Sequence, residues 1–288
     1  MRPEGCAGLR GKVAVVKNFA LFSVAGILAC GILAGCKETT KPEAPKASVP
    51  QTGASTAQDK TGRPAKPGLT KLILKDTVLG KGAQSAKGDL VYVLYVGKLP
   101  DGKEFDGSER HDNEPLPFVV GTGNVIKGWD DGLLGMKVGG ERDISIPTDL
   151  AYGAKGAGNV IPPNSDLFFH VKLVDIVRKG EESVVDIKDL KPGSGRAAKN
   201  GNTVTLHYVG TLLSGKKFDS SRDRKKPLTI TLGTGEIVPG FNSGLLGMKV
   251  GGVRRIRIPP NVGYGAEGHG PVPANGIMIF EVEMLAIK

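Results

Sequence analysis

Beyond residue 68, apolar and polar positions alternate in short runs. Val204, Leu206 and Tyr208 alternate with Thr205 and His207, and Met278, Phe280, Val282 and Met284 alternate with Ile279, Glu281 and Glu283. A period of two predicts half-buried strands. One other period stands out. Trp129, Leu133 and Met136 follow an i, i+4, i+7 spacing, and Phe241, Leu245 and Met248 repeat it. This predicts a short amphipathic helix, stopped by Gly139-Gly140 in one place and Gly251-Gly252 in the other. Several strands with one helix imply an α+β architecture, an antiparallel sheet packed on a single helix.

The pattern occurs twice. Gly132-Leu-Leu-Gly-Met-Lys-Val-Gly-Gly140 recurs unchanged at Gly244–Gly252, Tyr95-Val96-Gly97 as Tyr208-Val209-Gly210, and Phe105-Asp106 as Phe218-Asp219. The offset is 113 at Tyr95, 112 at Gly121 and 111 at Phe169. Each step is one extra residue in a polar or Gly-rich loop of the first copy, where insertions are tolerated. A period this long is domain duplication, since solenoid units are far shorter. The expected domains are 69–178 and 179–288.

The first 68 residues follow a different pattern. Basic residues up to Lys17 precede an apolar run from Phe19 to Ala29, and the segment ends in Leu33-Ala34-Gly35-Cys36. A charged region, an apolar region and small residues before a cut site predict a secretory signal over 1–35. Leu-Ala-Gly-Cys resembles the bacterial lipobox, which implies that Cys36 is acylated and anchors the chain in a lipid bilayer. Several acyl chains give stable anchoring, whereas one is marginal. Lys37 rather than Asp follows the cysteine, which by the usual sorting rule implies the outer membrane, facing the periplasm. Residues 37–68 are rich in Lys, Pro, Ala, Thr and Ser and almost lack large apolar residues. With the cysteine they read as a lipidated flexible linker over 36–68.

Charge and cysteines narrow the function classes. The formal net charge is +10, which raises the question of nucleic acid. More than half of it lies before residue 69, and no basic-aromatic groove motif accompanies the rest, so no nucleic-acid partner is expected. All three cysteines, Cys6, Cys30 and Cys36, precede the repeat. The repeated domains therefore have neither disulfide nor thiol chemistry. His111, His170, His207 and His269 are scattered without ligand spacing and read as solvated or packed side chains. Gly263 to Gly268 matches G-x-G-x-x-G, but Pro271 and Pro273 follow instead of a helix, so a dinucleotide site is not expected.

Residues 206–233, LHYVGTLLSGKKFDSSRDRKKPLTITLG, resemble the FKBP-type prolyl isomerases almost residue for residue. The first copy keeps the same order of motifs: LYVG, DGKEFD, a Pro-Leu segment, GTGNVIKGW, GMKVGG, AYGA and IPPN. The resemblance covers both copies. It implies a curved antiparallel sheet around the short helix, with an apolar pocket between them. It places Tyr95, Phe105, Asp106, Leu116, Val125, Ile126, Trp129, Tyr152, Ile161 and Phe169 around the first pocket. It places Tyr208, Phe218, Asp219, Leu228, Ile237, Val238, Phe241, Tyr264, Val272 and Phe280 around the second. Trp129 would floor the proline site, and Tyr152 and Tyr264 would each donate a hydrogen bond to a substrate carbonyl. The implied activity is isomerisation of X-Pro bonds in exported or envelope proteins, without metal or cofactor. The implied partners are proline-containing polypeptides, with rapamycin-class macrolides as inhibitors.

The copies depart from the family at different places. The second has Phe241 where tryptophan is usual and Val272 where isoleucine is usual. The first keeps Trp129 and Ile161 but has Gly107-Ser-Glu-Arg-His111 against Ser220-Ser-Arg-Asp-Arg224. The arginine matching Arg224 helps orient the pocket aspartate in the family, so Asp106 is expected to be held less firmly, by Arg110 or not at all. Trp129 offers more apolar area than Phe241, so the first site is expected to be modestly the more active. The rival reading is a non-enzymatic, chaperone-like protein that holds proline-containing segments. A third is a surface adhesin with incidental activity.

Overall fold

The computed structural model describes residues 11–13 and 68–288; the apolar run and Cys36 lie outside them. Chain order is β1 (Gly11–Val13), β2 (Ile73–Val78), β3 (Leu90–Lys98), β4 (Glu104–Gly107), β5 (Leu116–Val119), α1 (Lys127–Gly132), β6 (Glu141–Ile146) and β7 (Leu167–Val177). The second copy follows as β8 (Val185–Lys191), β9 (Ser194–Ala197), β10 (Thr203–Thr211), β11 (Lys217–Ser220), β12 (Leu228–Thr231), α2 (Pro239–Leu245), β13 (Lys249–Val250), β14 (Val253–Ile258) and β15 (Met278–Ile287).

Each copy builds its own antiparallel sheet, as the alternation requires. The first runs β2-β6-β7-β3-β4 with β5 beside β3, and the second repeats it as β8-β14-β15-β10-β11 with β12 beside β10. β1 pairs with β8 at the outer edge of the second sheet, and β9 pairs with β13 in a separate two-stranded ladder. The register sets Gly97 opposite Phe169 and Gly210 opposite Phe280. The concave faces carry the apolar half of each alternation, and each wraps one helix into one core.

Those helices have six and seven residues, too short to persist alone. Two devices hold them. Glycines on the inner side let the backbone lie against isoleucines of the sheet: a Cβ on Gly128 would collide with Ile146, and one on Gly244 with Ile256. At the C-terminal end, where carbonyls lack intrahelical partners, a buried arginine supplies donors. Arg142 donates to the carbonyls of Gly132 (2.7 Å) and Leu134 (3.3 Å) and pairs with Asp76 of β2 (2.6 Å). Arg254 does the same to Gly244 and Leu246 (both 2.8 Å) and to Asp189 of β8 (2.6 Å). At the other end the buried Asp130 accepts from the N–H groups of Gly121 (2.9 Å) and Gly123 (2.7 Å); Asn242 keeps one of these bonds, from Gly233 (2.8 Å).

The copies also pack on each other. Tyr92, Val177 and Ile277 form a small apolar cluster with Leu90, Leu213 and Ile279. The Tyr92 hydroxyl donates to the Asn275 carbonyl at 2.7 Å, and Arg257 of β14 pairs with Asp175 of β7 at 2.8 Å.

Replacing Arg254 with leucine should strand two buried carbonyls and loosen α2. We expect a loss of about 2–4 kcal/mol, from an unpaired-carbonyl cost of roughly 1–3 kcal/mol each, partly met by entering water. Urea unfolding of the two-copy chain measures it.

Candidate functional site

In the second copy, sheet and helix enclose a cavity of about 470 Å³, lined among others by Tyr208, Phe218, Asp219, Leu228, Ile237, Val238, Phe241, Tyr264 and Phe280. Met278, Glu236 and Pro239 also line it. The sequence comparison of the copies passed over these three. Met278 sits on the strand face already assigned to the core, and the other two flank expected residues. Val272 lies buried in the second core, as Ile161 does in the first, its carbonyl accepting from the His269 N–H at 2.9 Å.

The walls are aromatic edges and faces. Phe218 meets Phe280 edge-on at 5.5 Å, and Phe241 approaches Phe280 at 4.5 Å, tilted by 38°. Tyr208 stands edge-on to both, at 5.9 Å from Phe241 and 5.8 Å from Phe280. The strand glycine makes room for these rings, since a Cβ on Gly210 would come within 2.7 Å of Phe218. The first copy repeats the box. Trp129 lies 5.1 Å from both Tyr95 and Phe169, edge-on to each, and Phe105 meets Phe169 edge-on at 5.6 Å. The Trp129 ring is buried, and its Nε1–H has no hydrogen-bond partner among the described residues.

Ile126 and Val238 are the residues just before α1 and α2, and both pack half-buried on their cores, as does Val125. Ile161 is buried in the first core. Leu116 and Val125 also line a cleft of about 570 Å³ that continues to Asn261 and Asn275 of the second copy. Tyr264 lines the second cavity and is 38% exposed, and Tyr152 of the first copy is 42% exposed. His269 stacks on Tyr264 at 4.9 Å.

One polar pair sits beside each apolar box. The Tyr95 hydroxyl donates to Asp106 Oδ2 at 2.7 Å, and the Gly107 N–H donates to Oδ1 at 2.8 Å. Tyr208 donates to Asp219 in the same way, and the Ser220 N–H follows at 2.7 Å. Arg224 pairs with Asp219, donates to the Tyr208 hydroxyl at 2.7 Å and lies 5.7 Å over its ring. Burial works to raise the Asp219 pKa, but the donors from Tyr208, Arg224 and Ser220 outweigh it and hold the carboxyl below its ordinary range. Burial, and then the neighbouring aspartate, push the Tyr95 and Tyr208 hydroxyls upward, so both remain proton donors. The expectation for Asp106 is corrected. Arg110 turns away, to the Phe105 carbonyl (3.2 Å) and Glu104 (3.6 Å), and His111 Nε2 stands 3.3 Å from Asp106 Oδ1.

Each site is thus a desolvated aromatic box with a fixed hydroxyl–carboxylate pair at its edge. No cluster of potential metal ligands occurs among the described residues. The family model for FKBP-type peptidyl-prolyl cis-trans isomerase matches residues 81–174 and again 194–285. The chain belongs to the FKBP-type peptidyl-prolyl cis-trans isomerase family. The FKBP-type match covers both boxes, from Tyr95 to Phe169 and from Tyr208 to Phe280. Among curated relatives, human peptidyl-prolyl cis-trans isomerase FKBP10 is 42% identical over 199 residues, covering 69% of this chain and 34% of that protein. The chain therefore spans about a third of that relative's length. The FK506-binding protein of Neisseria meningitidis serogroup B is 51% identical over 102 residues, 35% of this chain and 94% of that protein. Among solved structures, the three FKBP domains of wheat FKBP73 align with 25% identity and a TM-score of 0.37, over 75% of this chain and 94% of that one.

Proposed function

We propose that both FKBP-type sites of this chain catalyse cis–trans isomerisation of X-Pro bonds in polypeptides. The observation that carries the reading is the duplicated aromatic box with its tyrosine–aspartate pair at the edge. Rotation about the amide faces a barrier of about 18–20 kcal/mol because twisting breaks resonance. No bond to the peptide is made or broken, so catalysis must come from binding the twisted amide more tightly than the planar one. A box of Trp129, Phe105 and Phe169, or of Phe241, Phe218 and Phe280, grips the proline ring and strips water from the preceding carbonyl. The planar amide is the more polar form and loses more on desolvation. In this reading Tyr152 and Tyr264, both exposed, donate to a substrate carbonyl and hold the chain across the pocket.

The wider reading is an enzyme held in the bacterial envelope. Its support is the sequence: the apolar leader, Cys36 within Leu-Ala-Gly-Cys, Lys37 after it and the polar segment to residue 68. Exported proteins then supply the proline-containing substrates. β1 belongs to the segment read as the leader, so in this reading the mature protein lacks it and β8 becomes the sheet edge. Macrolide inhibition rests on the resemblance and on the name of the Neisseria relative.

An NMR-exchange or protease-coupled assay on the two-copy chain tests the activity, with Phe218→Ala or Phe105→Ala silencing one site at a time. We expect each remaining site to accelerate exchange, the first modestly more than the second. Trp129→Phe should lower kcat/KM and Phe241→Trp should raise it, by about two- to tenfold, the worth of one aromatic contact. A chain that accelerates no X-Pro peptide is a holding protein instead.

Mass spectrometry of protein from membranes tests the anchor. We expect the mature chain to begin at an acylated Cys36, and Cys36→Ala to yield soluble or unprocessed protein.

A further inference from the structure

We propose that His111 is a positioning residue of the first site, replacing the permanent cation of the second site with one that depends on pH. The inference deepens the isomerase reading and rests on it for its activity readout.

The equivalence is structural as well as sequential. Ser108 accepts from the Tyr95 N–H through its hydroxyl at 2.9 Å, and Ser221 accepts from the Tyr208 N–H at 2.8 Å, so the loops keep one register. Three residues further on stand His111 and Arg224, each five residues after its aspartate. Each meets the same Oδ1 atom, of Asp106 or Asp219. The extra residue of the first copy falls after this point, where Asp112 and Asn113 turn through positive φ of 56° and 55° and the second copy has Lys225 alone at 52°.

The two side chains reach differently. Arg224 reaches both Asp219 and the Tyr208 hydroxyl, whereas His111 contacts Asp106 without reaching Tyr95. A guanidinium stays charged throughout. An imidazole group loses its charge between about pH 5 and pH 8. Once neutral it offers one donor and one acceptor, and an acceptor nitrogen facing Oδ1 repels it. The other ionisable groups near the pair do not compensate. Tyr95 and Tyr152 are raised by burial and stay protonated. Arg110 is engaged by Glu104, and Asp112 by Lys216 at 2.9 Å; Glu109 and Glu114 are anionic or neutral and cannot replace a cation. Asp106 is held below its ordinary range against the effect of burial, by the Tyr95 hydroxyl, the Gly107 N–H and His111. With His111 neutral the last of these donors weakens, Asp106 gains freedom, and the Tyr95 hydroxyl at the pocket wall loses its fixed partner. Activity of the first site should therefore fall as pH rises, while that of the second stays level.

The test uses the two-copy chain with Phe218→Ala silencing the second site and a peptide lacking ionisable side chains. Between about pH 5.5 and pH 8.5, kcat/KM of the first site should fall about two- to fivefold, the size of one exposed charge pair. His111→Arg should give a level profile at the higher value. In the mirror chain, silenced by Phe105→Ala, Arg224→His should introduce the slope into the second site. A readout independent of catalysis is the side-chain carboxyl ¹³C resonance of Asp106, which should move with pH in this window and stay still in His111→Arg. If that resonance does not move, or if His111→Arg leaves the pH profile of an active first site unchanged, His111 does not position Asp106. If the resonance behaves as stated but no chain shows activity, the isomerase reading fails and the pairing stands.

Discussion

A buried arginine at the open end of a very short helix is the contact on which each pocket depends. α1 and α2 carry the floor residues Trp129 and Phe241, yet neither is long enough to be stable by itself. Arg142 and Arg254 satisfy carbonyls in and just past the last turn and tie them to an aspartate on the edge strand. The guanidinium is costly to bury, but five fixed donors let it serve two carbonyls and a carboxylate at once. With the inward glycines bringing helix and sheet together, this sets the depth of the pocket. The helix is held by its contacts with the sheet and not by its own length.

From that constraint the chemistry follows. The rings of each box stand edge-on around a space that, in the proposed function, takes a proline ring, and the tyrosine–aspartate pair marks its polar edge. The duplicated sites have diverged in complementary ways. The first keeps the larger ring on its floor but leaves the Trp129 N–H unpartnered and its aspartate on a histidine. The second has the smaller Phe241, drawn closer to Phe280, and a carboxylate fixed by arginine. In the proposed isomerase these differences would give the two sites different profiles of activity.

Much of this was legible in the sequence. The strand alternation, the spacing of Trp129 and Phe241, and the offsets between copies locate the sheets and the two helices, but the helices end at Gly132 and Leu245, so Met136 and Met248 lie beyond them and the Gly-Gly pairs are not their stops. Arg142 could have been found as well: with Ile144 and Ile146 it occupies the inward positions of a strand, where a charge demands a partner. What partner it has could not be read, because Asp76 and the helix carbonyls meet it only in three dimensions. His111 was hidden by reading the Gly107–His111 loop as a departure instead of carrying the offset of 113 through it to Arg224. The cluster around Tyr92 draws on both copies, and comparing each copy with the other cannot reveal a contact between them.

Trp129 is the only tryptophan in the chain, so its fluorescence reports on the first floor alone. The most direct measurement is a titration of the two-copy chain with a proline-containing peptide, or with a rapamycin-class macrolide, following that emission alongside activity. A floor that grips the proline ring predicts a saturable change that tracks occupancy and disappears in Phe105→Ala. Full inhibition or saturation of a chain silenced at the second site, with the Trp129 emission unmoved, would contradict it.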